Sequence, residues 1–186
     1  MGKLVACPLS TSLRRTPASN SYALGSLSCT CNAGYTETGF GISLRCQPCP
    51  AGYYTATVGA ANCSICPAGS YAPSEGSATC SMCRAGYVSP VDGPSSCSPC
   101  DPGYFSSSVG STACESVSPG SFSRSPASTR YQICDQGAYN EATALAQCLP
   151  CPPGTMTAYF GSESAKDCVI PTVNFVMVRK NHHRSL

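Results

Sequence analysis

From Cys46 onward the sequence repeats every 17 residues, and seven successive units can be written in one frame. They open at Cys46, Cys63, Cys80, Cys97, Cys114, Tyr131 and Cys148, and most begin Cys-x-x-Cys with a glycine three residues further on. A degenerate eighth unit, Cys29-Thr-Cys-Asn-Ala-Gly-Tyr35, lies 17 residues upstream of the first. A period this short belongs to chains made of one small supersecondary unit that cannot bury its own apolar side and depends on its neighbours.

The columns of the repeat specify that unit. Glycine occupies the same place in all seven units, at Gly52, Gly69, Gly86, Gly103, Gly120, Gly137 and Gly154. Such a requirement marks a tight turn with φ above zero, or a backbone too crowded for a Cβ. Two residues on stands a mostly aromatic or large apolar column: Tyr54, Tyr71, Val88, Phe105, Phe122, Tyr139 and Met156. A second glycine recurs in five units, at Gly59, Gly76, Gly93, Gly110 and Gly161. The pattern predicts a turn, a strand of about three or four residues, a second turn and a second strand, with no room for a helix. The expected fold is small, disulfide-rich and mostly β, with tandem short β-hairpins stacked into an elongated rod or solenoid that buries the aromatic column. Residues 1–28 form an N-terminal segment, 29–168 the tandem repeats and 169–186 a C-terminal strand and basic tail.

Composition makes cross-linking necessary. Leu, Ile, Val and Phe are sparse and Trp is absent, while Gly, Pro and Cys number 17, 16 and 16 among 186 residues. Without bulky aliphatic side chains little offsets the entropy of ordering the chain. Disulfides or structural metal must do so.

Repeated Cys-x-x-Cys is also a zinc-ribbon pattern, so zinc is the serious rival, with a redox-active motif behind it. The repeat carries its own test. The fifth unit lacks its second cysteine (Val117) and the sixth its first (Tyr131), and these places are 14 apart, the spacing of Cys49 to Cys63. If each second cysteine bonds the first of the next unit, the two replacements delete one whole bond and strand no thiol. Pairing within each Cys-x-x-Cys would orphan Cys114 and Cys134, and four-thiolate zinc sites would lose ligands around the defect. The rule yields Cys31–Cys46, Cys49–Cys63, Cys66–Cys80, Cys83–Cys97, Cys100–Cys114, Cys134–Cys148 and Cys151–Cys168, and leaves Cys7 to pair with Cys29. All 16 cysteines are then used. An even balance of this kind points to an oxidising, extracellular or cell-surface location.

The units CQPCPAGYYTATVGAAN and CSICPAGSYAPSEGSAT resemble the ephrin-receptor-like cysteine-rich repeat, whose signature is C-x-x-C-P-x-G-[TSY]-[YF] with a later Gly-containing turn. The resemblance covers residues 29–168, with units five and six departing from the pattern. It implies an extracellular module, of a kind that recurs in animal proteins and in long surface proteins of protists. A kinase or other effector segment does not accompany the repeats in this sequence, so receptor signalling does not carry over.

Chemistry-bearing clusters are not legible. His182 and His183 stand together in a basic tail with Arg179, Lys180 and Arg184, which reads as a solvated segment. The acidic residues, such as Glu75, Asp92, Asp101 and Asp135, occupy different columns and form no paired carboxylate or calcium loop. Neither an enzyme nor a cofactor is expected. A formal net charge of +2 makes no case for nucleic acid, and no apolar run approaches the length of a membrane span. The N-terminus has too little apolar length for a secretory leader, which suggests that the chain starts inside a longer precursor or that its true start is lost. Asn62-Cys63-Ser64 is a glycosylation sequon. Thr172 to Val178 is the strongest strand-forming segment, and Val173, Phe175 and Met177 are candidates for an assembly strand added to a neighbouring copy. The expected function is an extracellular structural or adhesive rod, with a filament protomer as its sharpest form and a ligand-binding stalk as the alternative. Copies of itself, other extracellular proteins and glycans are the expected partners.

Overall fold

In the computed structural model the described residues are 11–15, 27–39 and 44–171. Among them every sheet is a two-stranded antiparallel hairpin. In chain order, β1 (Thr11–Arg15) pairs with β2 (Leu27–Cys31), and β3 (Tyr35–Thr38) with β4 (Arg45–Pro48). The regular repeat follows with β5 (Tyr53–Tyr54) on β6 (Ser64–Ile65), β7 (Ser70–Tyr71) on β8 (Ser81–Met82), and β9 (Tyr87–Val88) on β10 (Ser98–Pro99). Then come β11 (Tyr104–Phe105) on β12 (Glu115–Ser116), β13 (Ser121–Phe122) on β14 (Gln132–Ile133), β15 (Ala138–Tyr139) on β16 (Leu149–Pro150), and β17 (Met156–Thr157) on β18 (Cys168–Val169). The fold is thus a small disulfide-rich β fold of tandem hairpins.

From β5 onward each strand has two residues, shorter than the repeat pattern suggested. The cause is the destination of the neighbouring backbone groups. Just outside the strand pairs, at Gly34, Gly52, Gly69, Gly86, Gly103 and Gly120, an N–H group donates to the next hairpin in place of extending its own ladder, so its hydrogen bond is kept. Two compact units result, and each is described by itself.

The first unit holds the described residues up to Cys83 together with Ser89–Cys97. The amide of Gly34, just before β3, donates to Thr55 O after β5 at 2.7 Å; Gly52 donates likewise to Ala72 O and Gly69 to Ser89 O, both at 2.9 Å. A second set runs the other way, with Gly76 N donating to Cys49 O and Gly93 N to Cys66 O at 2.8 Å. Reach extends one hairpin further. Gly52 has φ +83°, and a Cβ built there would fall 2.7 Å from the carbonyl carbon of Gly93, in the loop of the next hairpin but one. That backbone-on-backbone approach explains the glycine column: both a left-handed φ and the absence of a side chain are needed.

The second unit holds Arg84–Val88 and the chain from Ser98 on, and repeats the scheme. Gly86 N donates to Ser106 O, Gly103 N to Ser123 O and Gly120 N to Asn140 O, at 2.8, 2.7 and 2.8 Å. At the end of the series Gly137 and Gly154 meet nothing within 4 Å of a built Cβ, because among the described residues no second hairpin follows to lie over them. The last loop, with a cysteine separation of 17, is three residues longer than the regular ones of 14, and its extra residues form a 3-10 turn, Ala165–Asp167, closed by a Ser164/Asp167 capping box.

The core differs from the expected one. Cys31, Cys49, Cys66, Cys83, Cys100 and Cys134 are fully buried, and so is a column of small residues: Thr55, Ala72, Ser89, Ser106, Ser123, Asn140 and Thr157. Of the aromatic and large apolar column only Val88 and Phe105 are buried; Tyr54, Tyr71, Phe122, Tyr139 and Met156 stay half-covered. Hairpins stacked through their backbones lie too close for large side chains between them. Small residues whose hydroxyls bond locally, as Ser89 Oγ donates to Val91 O and Ser106 Oγ to Ser108 O, fit the gap.

Candidate functional site

The chemistry of this chain is concentrated in its cysteines. The second cysteine of one Cys-x-x-Cys and the first of the next lie at the two feet of one hairpin, and the structure joins them: Cys31–Cys46, Cys49–Cys63, Cys66–Cys80, Cys83–Cys97, Cys100–Cys114, Cys134–Cys148 and Cys151–Cys168. Their Cα separations run from 5.5 to 5.8 Å, the ordinary span of a disulfide. Cys29 is also disulfide-bonded, whereas Cys7 lies outside the described residues. Sulfur committed to S–S bonds cannot serve as a zinc thiolate or an attacking nucleophile. Among the described residues no group of His, Cys, Asp or Glu is placed to hold a metal ion.

At the missing rung the structure shows what stands in for a covalent bond. Val117 is 1% exposed and occupies the buried place of Cys49 and Cys66 in their units. Tyr131, in the partner position, meets Phe105 edge-on with ring centroids 5.4 Å apart. The hairpin β13–β14 keeps the register of its neighbours, Ser121 opposite Ile133 and Phe122 opposite Gln132. Apolar packing therefore holds a geometry that elsewhere is held by sulfur.

The second glycine column is similarly degenerate in sequence but not in shape. Where units five and six carry Ala127 and Ala144, the backbone keeps the left-handed conformation, with φ of 56° and 59°. Their amides donate to Cys100 O and Val117 O as the glycines of other units do. Fixed stacking contacts impose the conformation on residues that disfavour it.

Asn62 is exposed in the bend before β6, while its sequon partner Ser64 stands in that strand opposite Tyr54. Val173, Phe175 and Met177 lie outside the described residues, as do His182 and His183. Sequence reasoning missed the buried small-residue column. Its signal was present as an unbroken run of Thr, Ala, Ser and Asn at one place per unit, three residues beyond each first glycine.

Stacked hairpins, all but β13–β14 of those from β3 on closed at their feet by a disulfide, define a cysteine-rich repeat protein. Residues 37–83 and 132–168 match a family model described as tyrosine-protein kinase ephrin type A/B receptor-like, so these two stretches are ephrin-receptor-like cysteine-rich repeats. The stretch between them keeps the same hairpin register and stacking bonds. No curated protein matches the chain. A disulfide-rich module of this type fits an extracellular location, and among the described residues no helix is long and apolar enough to cross a membrane.

Proposed function

We propose that this protein is a non-catalytic extracellular stalk that spaces and presents its hairpin loops for binding or adhesion. The observation that supports the reading is the pattern of stacking bonds. Within each compact unit successive hairpins are joined by backbone hydrogen bonds, as from Gly52 N to Ala72 O and from Gly103 N to Ser123 O, a scheme that grows by adding hairpins instead of enlarging a core. Loops at the hairpin tips are the exposed parts, as at Pro73–Glu75 and Ser107–Val109. Small-angle scattering of the native protein tests the stalk. A compact chain of this length would have a radius of gyration of about 16 Å, and a value near that would sink the reading, whereas a stalk scatters as a markedly longer particle.

A second reading, head-to-tail self-assembly, is favoured by one feature. Val169 and Ile170 are 42% and 74% exposed where the chain leaves the last hairpin towards Val173, Phe175 and Met177. An apolar, strand-favouring sequence that follows an exposed apolar edge suits addition to a second copy. Filaments formed by the full chain at rising concentration, and lost on truncation after Pro171, would support it; monomers throughout would remove it.

A further inference from the structure

The fifth unit combines three departures from the repeat. It has lost the disulfide that would run from position 117 to the first residue of the sixth unit, Tyr131, it carries Ala127 in place of glycine, and it alone places arginine at two columns of the loop. Arg124 stands where the neighbouring units have Ser107 and Glu141, and Arg130 where they have Ala113 and Gln147. Both arginines line one open cavity of about 290 Å³, together with Ser125, Pro126, Thr129 and Gln132.

The cavity is held in shape from both sides. Ala127 N donates to Cys100 O at 2.8 Å, Ser123 N to Leu145 O at 3.2 Å, and Ser128 O accepts from Ser106 N at 3.0 Å. Ser128 Oγ closes the loop on Ser125 O. Arg124 lies over the ring of Phe122, its Cζ 5.7 Å from the centroid, and neither guanidinium is bound to a carboxylate among the described residues. Two unneutralised forks on a rigid rim favour a ligand with a planar or tetrahedral anion, which arginine holds through two parallel hydrogen bonds. The rest of the wall offers hydroxyl and amide groups and only the small apolar faces of Pro126 and Ala127. That lining suits a polyhydroxylated ring and gives a large apolar side chain nothing to fill.

We propose that the loop of the fifth unit is a binding site for anionic saccharide, a sugar bearing sulfate or carboxylate groups, with Arg124 and Arg130 as its anion-holding residues. The site deepens the binding-stalk reading and rests on it. Scattering tests the stalk and titration tests the pocket, so the two fail separately.

The test is calorimetric titration of the native, non-reduced full chain at fixed ionic strength with four probes: a heparin-derived tetrasaccharide, sialyllactose, sodium sulfate and a tetraglutamate peptide. One of the two saccharides should bind saturably, and which one does tells sulfate from carboxylate recognition. Arg124→Gln and Arg130→Gln should each weaken it about tenfold, the loss of one charge-assisted contact. Arg84→Gln, which removes an exposed arginine already engaged by Tyr87, should leave it within about twofold. Both loop arginines are exposed, so their replacement leaves the buried residues intact, and an unchanged near-ultraviolet spectrum checks that the variants fold. No saturable saccharide binding, equal affinity in all three variants, or sulfate or peptide binding as tightly as the sugar would each overturn the proposal.

Discussion

Gly86 lies beneath the carbonyl of Ala127, so close that a Cβ at residue 86 would sit 2.8 Å from that carbonyl carbon. Neither partner is the end of a flexible side chain, and relief would require the hairpins to separate. Gly86→Ala should therefore cost well above the roughly 1 kcal/mol of left-handed strain alone. Gly137→Ala is the matched control, since its φ of +84° is the same and nothing lies within 4 Å. Thermal unfolding of both variants without reductant should show a small loss for Gly137→Ala and a loss several times larger for Gly86→Ala. Equal losses would mean that the stacking contact contributes nothing.

Ala127 and Ala144 supply the reverse experiment. Each is held at a positive φ that glycine reaches without strain. Ala127→Gly and Ala144→Gly should raise stability by up to about 1 kcal/mol apiece, the relieved strain less the greater freedom of glycine in the unfolded chain. For a chain of this length that corresponds to about 2–4 °C in Tm for 1 kcal/mol. A fall in Tm would show that the alanine methyl groups pack well enough to offset the strain.

The hairpin, the disulfide connectivity and the turn glycines were legible because each depends on a residue type with few alternatives. Only sulfur can make the rung, and only glycine fits under a carbonyl at positive φ. The pairing of Val117 with Tyr131 as a deleted rung followed from the same logic, and the structure places both at the feet of β13–β14. What packs where was less legible. Tyr54 and Tyr71 look like core residues in a sequence, yet the close backbone approach that the glycines permit leaves room only for Ala72 or Ser89 between hairpins. Strand length was overestimated for the same reason, since the amides next to each two-residue strand are taken by the neighbouring hairpin. The arginine-lined cavity was not legible at all. Arg124 and Arg130 are six residues apart and converge only because the loop bends at Pro126 and Ala127.

Removal of one rung measures how much of the fold the ladder carries. Cys49→Ala with Cys63→Ala opens a loop with a sequence separation of 14 and leaves no free thiol. The expected loss is about 3 kcal/mol in the chain-entropy view, a large share of the total for a fold whose core is sulfur and small residues. Urea unfolding should show the midpoint fall accordingly. Protection from protease should weaken around Cys49 to Cys63 first, because hairpins further along keep their own bonds. An unchanged midpoint would mean that stacking hydrogen bonds alone hold the hairpin, and complete unfolding that the rung is indispensable.

Restoring the absent rung is the complementary case. Val117→Cys with Tyr131→Cys places two thiols where Cys66 and Cys80 stand in their own unit, across a hairpin of the same register. The double variant should oxidise during secretion with a mass about 2 Da below that of the dithiol form. The new bond is worth about 3 kcal/mol, against about 1 kcal/mol for the Phe105–Tyr131 ring contact it removes. Net stabilisation should follow, because the feet of β13–β14 need not move to be bridged. Binding of anionic saccharide is the informative second readout. The cavity is lined by residues between and beside the two substituted positions but by neither of them, and it is anchored through Cys100, Leu145 and Ser106, so affinity should persist in the bridged protein. Loss of affinity on oxidation, regained on selective reduction of that one bond, would instead show that the missing disulfide is what gives the arginine loop its shape.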